Sequence, residues 1–317
     1  GYEKCVMGQE AAAKSMNIAI LGAPGCVGRS LMRKLLELTP HSVVASYRAE
    51  HEIPADIRND RLVWKQVNLL DPASAEHFLG GTEVLIYLIH SLGAKNFEEL
   101  DIRLAKSAGA ASVKAGVTKI IYLGGIVPEG QKASPHLISR METGKALAAF
   151  GIPVGEVRAS ILLDTCSASY LIVYRLAKRL PVMITPQWLN SLCAPIALDD
   201  ASSCIEALVR RNIRGHEIFE IGSDTVRYRD LLSLCGKSIR GFQNLIITVP
   251  LFAVRLSSLW IGAITGIPNS VGTALAEGLK TDTIPSNNRF KEVTGRDPIP
   301  LGTVLSQLAA KMKNKAR

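Results

Sequence analysis

Aromatic residues are scarce in this chain, at 5% of 317 residues, and no basic stripe is interleaved with them. Stacking platforms and charged grooves for nucleic acid need that combination, so no nucleic-acid partner is expected. Cysteines are few and scattered, at Cys5, Cys26, Cys166, Cys193, Cys204 and Cys235, with no Cys-x-x-Cys pair. Without that spacing neither a zinc site nor a disulfide framework is expected, and the thiols read as reduced, in a cytoplasmic protein without a metal. No signal-peptide pattern opens the chain. Residues 1–15 read as an extension foreign to the fold, with Glu10 to Lys14 like a helical spacer and Met16 opening the first strand. A clean bilayer span is also missing. A span needs about 20 apolar residues, and the apolar stretch 245–267 is broken by Pro250, Arg255, Ser257 and Ser258. It reads as a buried helix pair forming a pocket wall or subunit contact, with peripheral membrane contact through 245–267 left open.

What is present is 47% hydrophobic and 21% charged residues, enough chain and apolar content for a large core. The net charge of +9 suits anionic ligands or an acidic surface.

The most informative stretch runs Asn17-Ile-Ala-Ile-Leu-Gly22-Ala-Pro-Gly25-Cys26-Val27-Gly28-Arg29. An apolar strand enters a glycine turn, and the turn enters a helix, the order that grips a dinucleotide pyrophosphate. Gly22 permits the tight turn, Gly25 lets backbone N–H groups approach phosphate, and Gly28 lets the helix pack on the strand. The helix N-terminus adds partial positive charge under the anion. Gly22, Gly25, Cys26, Val27 and Gly28 are therefore the expected phosphate grip. Cys26 reads as a small loop filler, with oxidation sensitivity as the alternative.

Strand-like and helix-like segments alternate through the first half, as in βαβ units with right-handed crossovers. Strands are expected at 18–21, 43–47, 62–67, 84–89, 119–123 and 154–157, with helices near 27–37, 73–79, 97–115 and 137–150. The expected fold is α/β, a Rossmann-like doubly wound parallel sheet over residues 16–165. Residues 166–317 are expected to form a smaller C-terminal α/β substrate or interaction lobe, partly entwined with the sheet. It would hold helices near 168–178, 200–210, 228–234 and 301–313 and a short strand at 217–221.

The strand after the first helix ends Ala45-Ser-Tyr47-Arg48, with no acid at its tip. An NAD site places Asp or Glu about 20 residues past the turn, and Glu50 and Glu52 lie further along the loop. Arg48, with Arg29 as the weaker candidate, suits a 2′-phosphate instead, so NADP(H) is favoured over NAD(H). Asn68 and Leu69 are placed to flank an adenine. Ile89, His90 and Ser91 end the fourth strand, where the nicotinamide ribose would lie, and Gly124 closes the fifth. A buried structural role for His90 is the competing reading. Ser160 sits where the nicotinamide end would pass. Asp199 and Asp200 read as a helix cap rather than an acid/base pair, and Trp188 and Trp260 as packing or pocket walls.

These motifs resemble the short-chain dehydrogenase/reductase superfamily, most closely its atypical NmrA-like NAD(P)-binding branch, which includes relatives of the Rossmann accessory subunit of respiratory complex I. The resemblance rests on the glycine turn, Tyr87-Leu-Ile-His90-Ser91-Leu-Gly93, Tyr122-Leu-Gly124-Gly125 and Ser134-Pro-His136-Leu-Ile-Ser-Arg140. It extends through Leu180-Pro-Val-Met-Ile-Thr-Pro186, Pro195-Ile-Ala-Leu-Asp199 and Phe219-Glu-Ile-Gly222. Catalytic members of the superfamily use a Ser at the end of the fifth strand and a Tyr-x-x-x-Lys pair on the next helix. Here the strand ends Gly124-Gly125, and the pair reads His136 and Arg140, one helical turn apart on one face. His136 could exchange a proton, and Arg140 could hold the ribose but not titrate. Tyr174 and Lys178 have the right spacing in the wrong place. The resemblance implies a reductase of an apolar carbonyl, quinone or enone. The alternatives are a non-catalytic NADP(H)-binding sensor or assembly factor acting through a protein partner and, third, a sugar-nucleotide epimerase-like enzyme.

Overall fold

The computed structural model describes residues 14–130, 132–249, 266 and 277–315. The first half builds β1 (Asn17–Leu21), α1 (Cys26–Leu38), β2 (Ser42–Tyr47), β3 (Leu62–Gln66), α2 (Pro72–Leu79) and β4 (Val84–Tyr87). It continues through α3 (Phe97–Ala115), β5 (Lys119–Gly125), α4 (Pro135–Ala148) and β6 (Val154–Ala159). The second half contributes β7 (Leu162–Leu163), α5 (Ala168–Arg179), β8 (Val182–Pro186), β9 (Leu192–Cys193), β10 (Ile196–Ala197) and α6 (Leu198–Arg210). It ends with β11 (His216–Ile221), β12 (Val226–Arg227), α7 (Tyr228–Arg240), β13 (Leu245–Val249), α8 (Phe290–Thr294) and α9 (Leu301–Lys315).

Seven strands form one parallel sheet in the order β11-β6-β5-β4-β1-β2-β3. The expected Rossmann-like α/β fold is the observed one. Both faces are covered, so the central strands β1 and β4 are continuous apolar runs rather than alternating, while the edge strands β3 and β11 carry polar residues. On one face Ile18, Ile20, Val43 and Ile86 pack with Leu31, Met32 and Leu35 of α1 and Ile205 and Leu208 of α6. On the other, Leu21, Leu85, Tyr87 and Tyr122 pack with Phe78 of α2, Ala105 and Ala108 of α3 and Leu147 of α4. A third cluster joins Tyr170 and Val173 of α5 to Leu231 of α7 and Leu305 of α9. The second half also returns to the main sheet, because α6 and β11 complete its first face.

Two details differ from expectation. Residues 245–249 form a strand paired with β8, not the start of a helix pair. Four consecutive β-branched residues there, Ile246 to Val249, favour an extended chain. Its outward side chains Leu245 and Ile247 are exposed beside Val182 and Ile184. The rest of the apolar stretch, 250–265 and 267, lies outside the described residues, and Trp260 with it; of the Trp188 side chain nothing is described. Among the described residues no helix is long and apolar enough to cross a membrane. Asp200 is no cap: buried on the first turn of α6, it accepts from Arg296 Nη2 at 2.6 Å and the Ile299 N–H at 2.7 Å. Its neighbour Asp199 pairs with Lys34 at 2.9 Å.

Since all seven strands run one way, their carboxyl ends lie along one edge. Strand order reverses between β1 and β4, and open α/β sheets bind ligands at such a reversal.

Candidate active site

The turn from β1 to α1 sits at that reversal. Gly22 has φ +85°, a left-handed conformation that disfavours any side chain. Its N–H donates to Ser46 Oγ of β2 at 3.0 Å, which locks the turn to the neighbouring strand. A Cβ on Gly22 would come 3.0 Å from the Leu88 carbonyl carbon, so the turn also lies against the chain leaving β4. A Cβ on Gly28 would lie 2.3 Å from the Ala23 carbonyl oxygen. That closeness lets α1 start directly under the turn. Gly25 is the helix N-cap and offers no side-chain cap, and no acidic residue stands in the first turn. The helix therefore begins with N–H groups that neither its N-cap nor its own first turn neutralises, which fits a diphosphate.

The other expected contacts are placed unevenly. Arg48 lies at the β2 tip, 86% exposed, with its guanidinium 3.0 Å from Glu52. Glu52 also accepts the Arg48 backbone N–H at 2.9 Å. Hydrogen bonding from Arg48, outweighing its slight burial, keeps this carboxyl below the usual range. Asn68 uses its side chain to accept the Leu70 N–H at 3.1 Å, and its own N–H donates to Ser74 Oγ at 3.0 Å. Leu69 is buried with Val67 and Phe78. Gly124 lies over Glu156: a Cβ there would come 2.8 Å from Glu156 Oε1. Ser160 hydrogen-bonds Thr283 at 2.7 Å, and Thr283 bonds the Tyr228 hydroxyl at 2.8 Å. The Lys178 ammonium lies 5.7 Å from the Tyr174 ring centroid, with the ring in the second-half core.

The structure brings His90 and His136 together, their ring centroids 4.8 Å apart. His90 follows β4, while His136 is on the first turn of α4, whose N-cap Ser134 accepts the Leu137 N–H. Between them and the core stands Asp101 of α3, a buried carboxylate that sequence reading missed. It accepts the Ser91 N–H at 2.9 Å and lies 3.1 Å from His90 Nδ1 and 3.4 Å from Ser139 Oγ. Its one signal in sequence is a charge on the stripe that carries Ala105, Ala108 and Ser112 of α3 into the interior.

Burial raises the Asp101 carboxyl, but hydrogen bonds from His90 and Ser91 outweigh it and hold the group below the usual range. Burial, then the Arg140 cation, lowers His90 despite Asp101. Burial, Arg140 and then His90 push His136 down to about 3. Both imidazoles are therefore neutral at pH 7. A neutral His90 donates Nδ1–H to Asp101, and no hydrogen-bond partner among the described residues reaches His90 Nε2 or His136 Nδ1. Arg140 is directed to β5: its guanidinium donates to the Leu123 carbonyl, and the Tyr122 hydroxyl donates to the Arg140 carbonyl at 2.9 Å.

One expectation about the turn is overturned. Cys26 is joined to Cys166 by a disulfide, with Cα atoms 5.6 Å apart. Local spacing cannot reveal a pair separated by 140 residues that only the fold brings together. Cys193, Cys204 and Cys235 are free and buried.

A parallel sheet reversing at a glycine turn, with an uncapped helix behind it, defines a nucleotide-binding Rossmann protein. Residues 22–160 match the family described as NAD(P)H-binding, in keeping with the resemblance to NmrA-like NAD(P)-binding proteins. No curated protein matches the sequence. Similar solved structures include a nucleoside-diphosphate-sugar epimerase from Staphylococcus aureus, 16% identical, TM-score 0.75, covering 92% of this chain and 100% of that one. An NADPH-dependent quinone oxidoreductase from Escherichia coli, complexed with NADPH, is 19% identical, TM-score 0.74, covering 92% and 99%. A triphenylmethane reductase from Citrobacter sp., complexed with NADP(H), is 16% identical, TM-score 0.73, covering 92% and 99%. At these identities the likeness is one of fold.

Proposed function

We propose that the chain is an NADPH-dependent reductase of an apolar carbonyl, quinone or enone. The observation that carries this reading is the pair of imidazoles at the carboxyl edge of the sheet, 4.8 Å apart, one oriented by a buried carboxylate. NADPH, when bound, supplies the hydride. The chain's own residues must place the acceptor and stabilise the negative charge that develops on its oxygen. His136 is suited to donate a hydrogen bond there, since its neutral ring keeps an N–H and the first turn of α4 adds partial positive charge. Solvent then supplies the proton. Asp101 acts through His90 as a positioning residue, fixing its tautomer and leaving Nε2 facing the site. The quinone oxidoreductase and triphenylmethane reductase of the same fold support the reaction class by analogy.

The test is NADPH oxidation against a panel of quinones, enones and aldehydes. His136→Ala should lower kcat about 100-fold, the scale of one positioned hydrogen-bonding or acid/base group. The sign of the His136 shift sets the pH profile. Its pKa lies well below that of a free imidazole, so its charge does not change from pH 5.5 to 8. The His136-dependent rate should stay level across that interval, whereas an imidazolium acid would lose activity above pH 6.5.

The second reading is a non-catalytic NADP(H) binder acting through a protein partner. It is favoured by Gly124 and Gly125 in place of the Ser, and by the tie of Arg140 to Leu123. Tight NADPH binding without turnover on any acceptor would establish it. Turnover of a UDP-sugar would instead favour the epimerase-like reading.

NADP(H) is preferred over NAD(H) because the guanidinium at the β2 tip is held only by an exposed pair. Such pairs are worth about 0–1 kcal/mol, so a 2′-phosphate can displace Glu52. Arg48→Ala should weaken NADPH binding about tenfold and leave NADH binding nearly unchanged, read by fluorescence titration. Equal losses for both would remove the preference.

A further inference from the structure

Cys26 is the first residue of α1, immediately after the uncapped Gly25. Its disulfide partner Cys166 lies in the turn that follows β7. Asp164 shapes that turn, accepting the Cys166 N–H at 3.1 Å through Oδ1 and the Ser167 N–H at 3.0 Å through its carbonyl. Both sulfurs and an Asp164 carboxylate oxygen lie within 4.8 Å of one another, and none of the three residues is fully buried. They line a cleft of about 600 Å³ between α1 and α9. Arg29, Lys34 and Lys311 line it as well. The other described cysteines are inert by comparison. Burial raises the Cys193 thiol strongly and pushes Cys204 and Cys235 up to about 12. Accessible thiol chemistry is thus confined, among the described cysteines, to the pair on the phosphate turn.

We propose that Cys26 and Cys166 form a reversible thiol–disulfide site that sets the affinity of the glycine turn for its dinucleotide. The proposal rests on the cofactor reading of that turn. Closing joins the two sulfurs and releases two protons, and the two electrons pass to a small-molecule disulfide such as oxidised glutathione, which becomes two thiols. Opening is the reverse, with a thiol reductant supplying the electrons. When closed, the 164–166 turn is pinned against the first turn of α1. The Asp164 carboxylate then stands within 4.8 Å of Cys26 Sγ, at the first residue of α1, and its like charge opposes a diphosphate entering at that helix N-terminus. When open, the turn is free to move aside. By linkage, bound dinucleotide must favour the open form by the same factor.

The experiment poises the full chain in glutathione mixtures from reducing to oxidising. It reads the thiol number after denaturation and the NADPH affinity before it. Six thiols are expected at the reducing end and four at the oxidising end, from six cysteines and one bridge. NADPH should bind about fivefold more weakly to the four-thiol form, the scale of one nearby like charge. Cys166→Ser, and Cys166→Ala as a second variant, should show the tighter affinity at every poise. Equal affinity in the two states would overturn the proposal while leaving the cofactor reading intact. No NADPH binding in either state would overturn both. Six thiols at every poise would overturn it, as would one equivalent of zinc held by the reduced chain and lost in Cys166→Ser, which would give these atoms to a metal.

Discussion

Replacing Gly28 by valine should abolish NADPH binding and lower the unfolding free energy by about 3 kcal/mol, the upper range for forced overpacking. The reason is backbone against backbone. A Cβ at this position would sit 2.3 Å from the Ala23 carbonyl oxygen and 2.7 Å from its carbonyl carbon and Cα. No flexible side chain can yield there, so either α1 withdraws from the turn or the turn deforms. Either movement shifts the first N–H groups of the helix away from the position in which they can meet a diphosphate. Urea denaturation together with NADPH titration separates the two effects. Gly25→Val tests the approach alone, since its Cβ would meet only the Gly22 carbonyl oxygen, at 3.3 Å. That variant should fold with much of its stability and still fail to bind. A Gly28→Val protein that binds NADPH normally would show that the turn is not the grip.

The second large effect is expected at Glu156, in the middle of β6. Its carboxylate is fully buried and lies 2.7 Å from Arg158 Nε and 2.6 Å from His216 Nε2. Room for it comes from two missing side chains: a Cβ on Gly124 would lie 2.8 Å, and one on Gly144 2.3 Å, from a Glu156 oxygen. Glu156→Ala should cost about 3 kcal/mol, chiefly because it leaves a buried cation without its partner. Arg158, only 12% exposed, carries most of that penalty; His216, at 23%, can reach water. Glu156→Leu combined with Arg158→Leu should recover much of the loss, because a buried pair replaced by apolar groups is often neutral. A single Glu156→Ala variant as stable as the parent in urea would remove the buried pair from the stability of the sheet.

The fold was legible because its signals are local. Apolar runs such as Ile18–Leu21 and Val84–Tyr87, separated by amphipathic helices, imply a parallel sheet wherever they occur. The glycine turn was legible for the same reason, since Gly22, Gly25 and Gly28 act on neighbours in sequence. Contacts made only by folding were not. Ser46 holds the Gly22 N–H across strands, Asp101 orients His90 from a helix, and Cys166 meets Cys26 from 140 residues away in sequence. Gly124 shows a different limit. Its place at a strand end reads as a cofactor contact, and the side where its Cβ would stand faces the Glu156 carboxylate of the next strand. Arg48 and Leu69 were placed at the right strand ends, yet one side chain pairs with Glu52 and the other enters the core. Strand position specifies where a residue stands, and the partners decide what its side chain does.

The most direct measurement is calorimetric titration of the folded, reduced chain with NADPH, NADP⁺, NADH and NAD⁺. A single site per chain is expected, tightest for NADPH and lost in Gly25→Val. Heat from none of the four dinucleotides, on protein whose circular dichroism shows the α/β fold intact, would contradict the reading of the turn as a diphosphate grip.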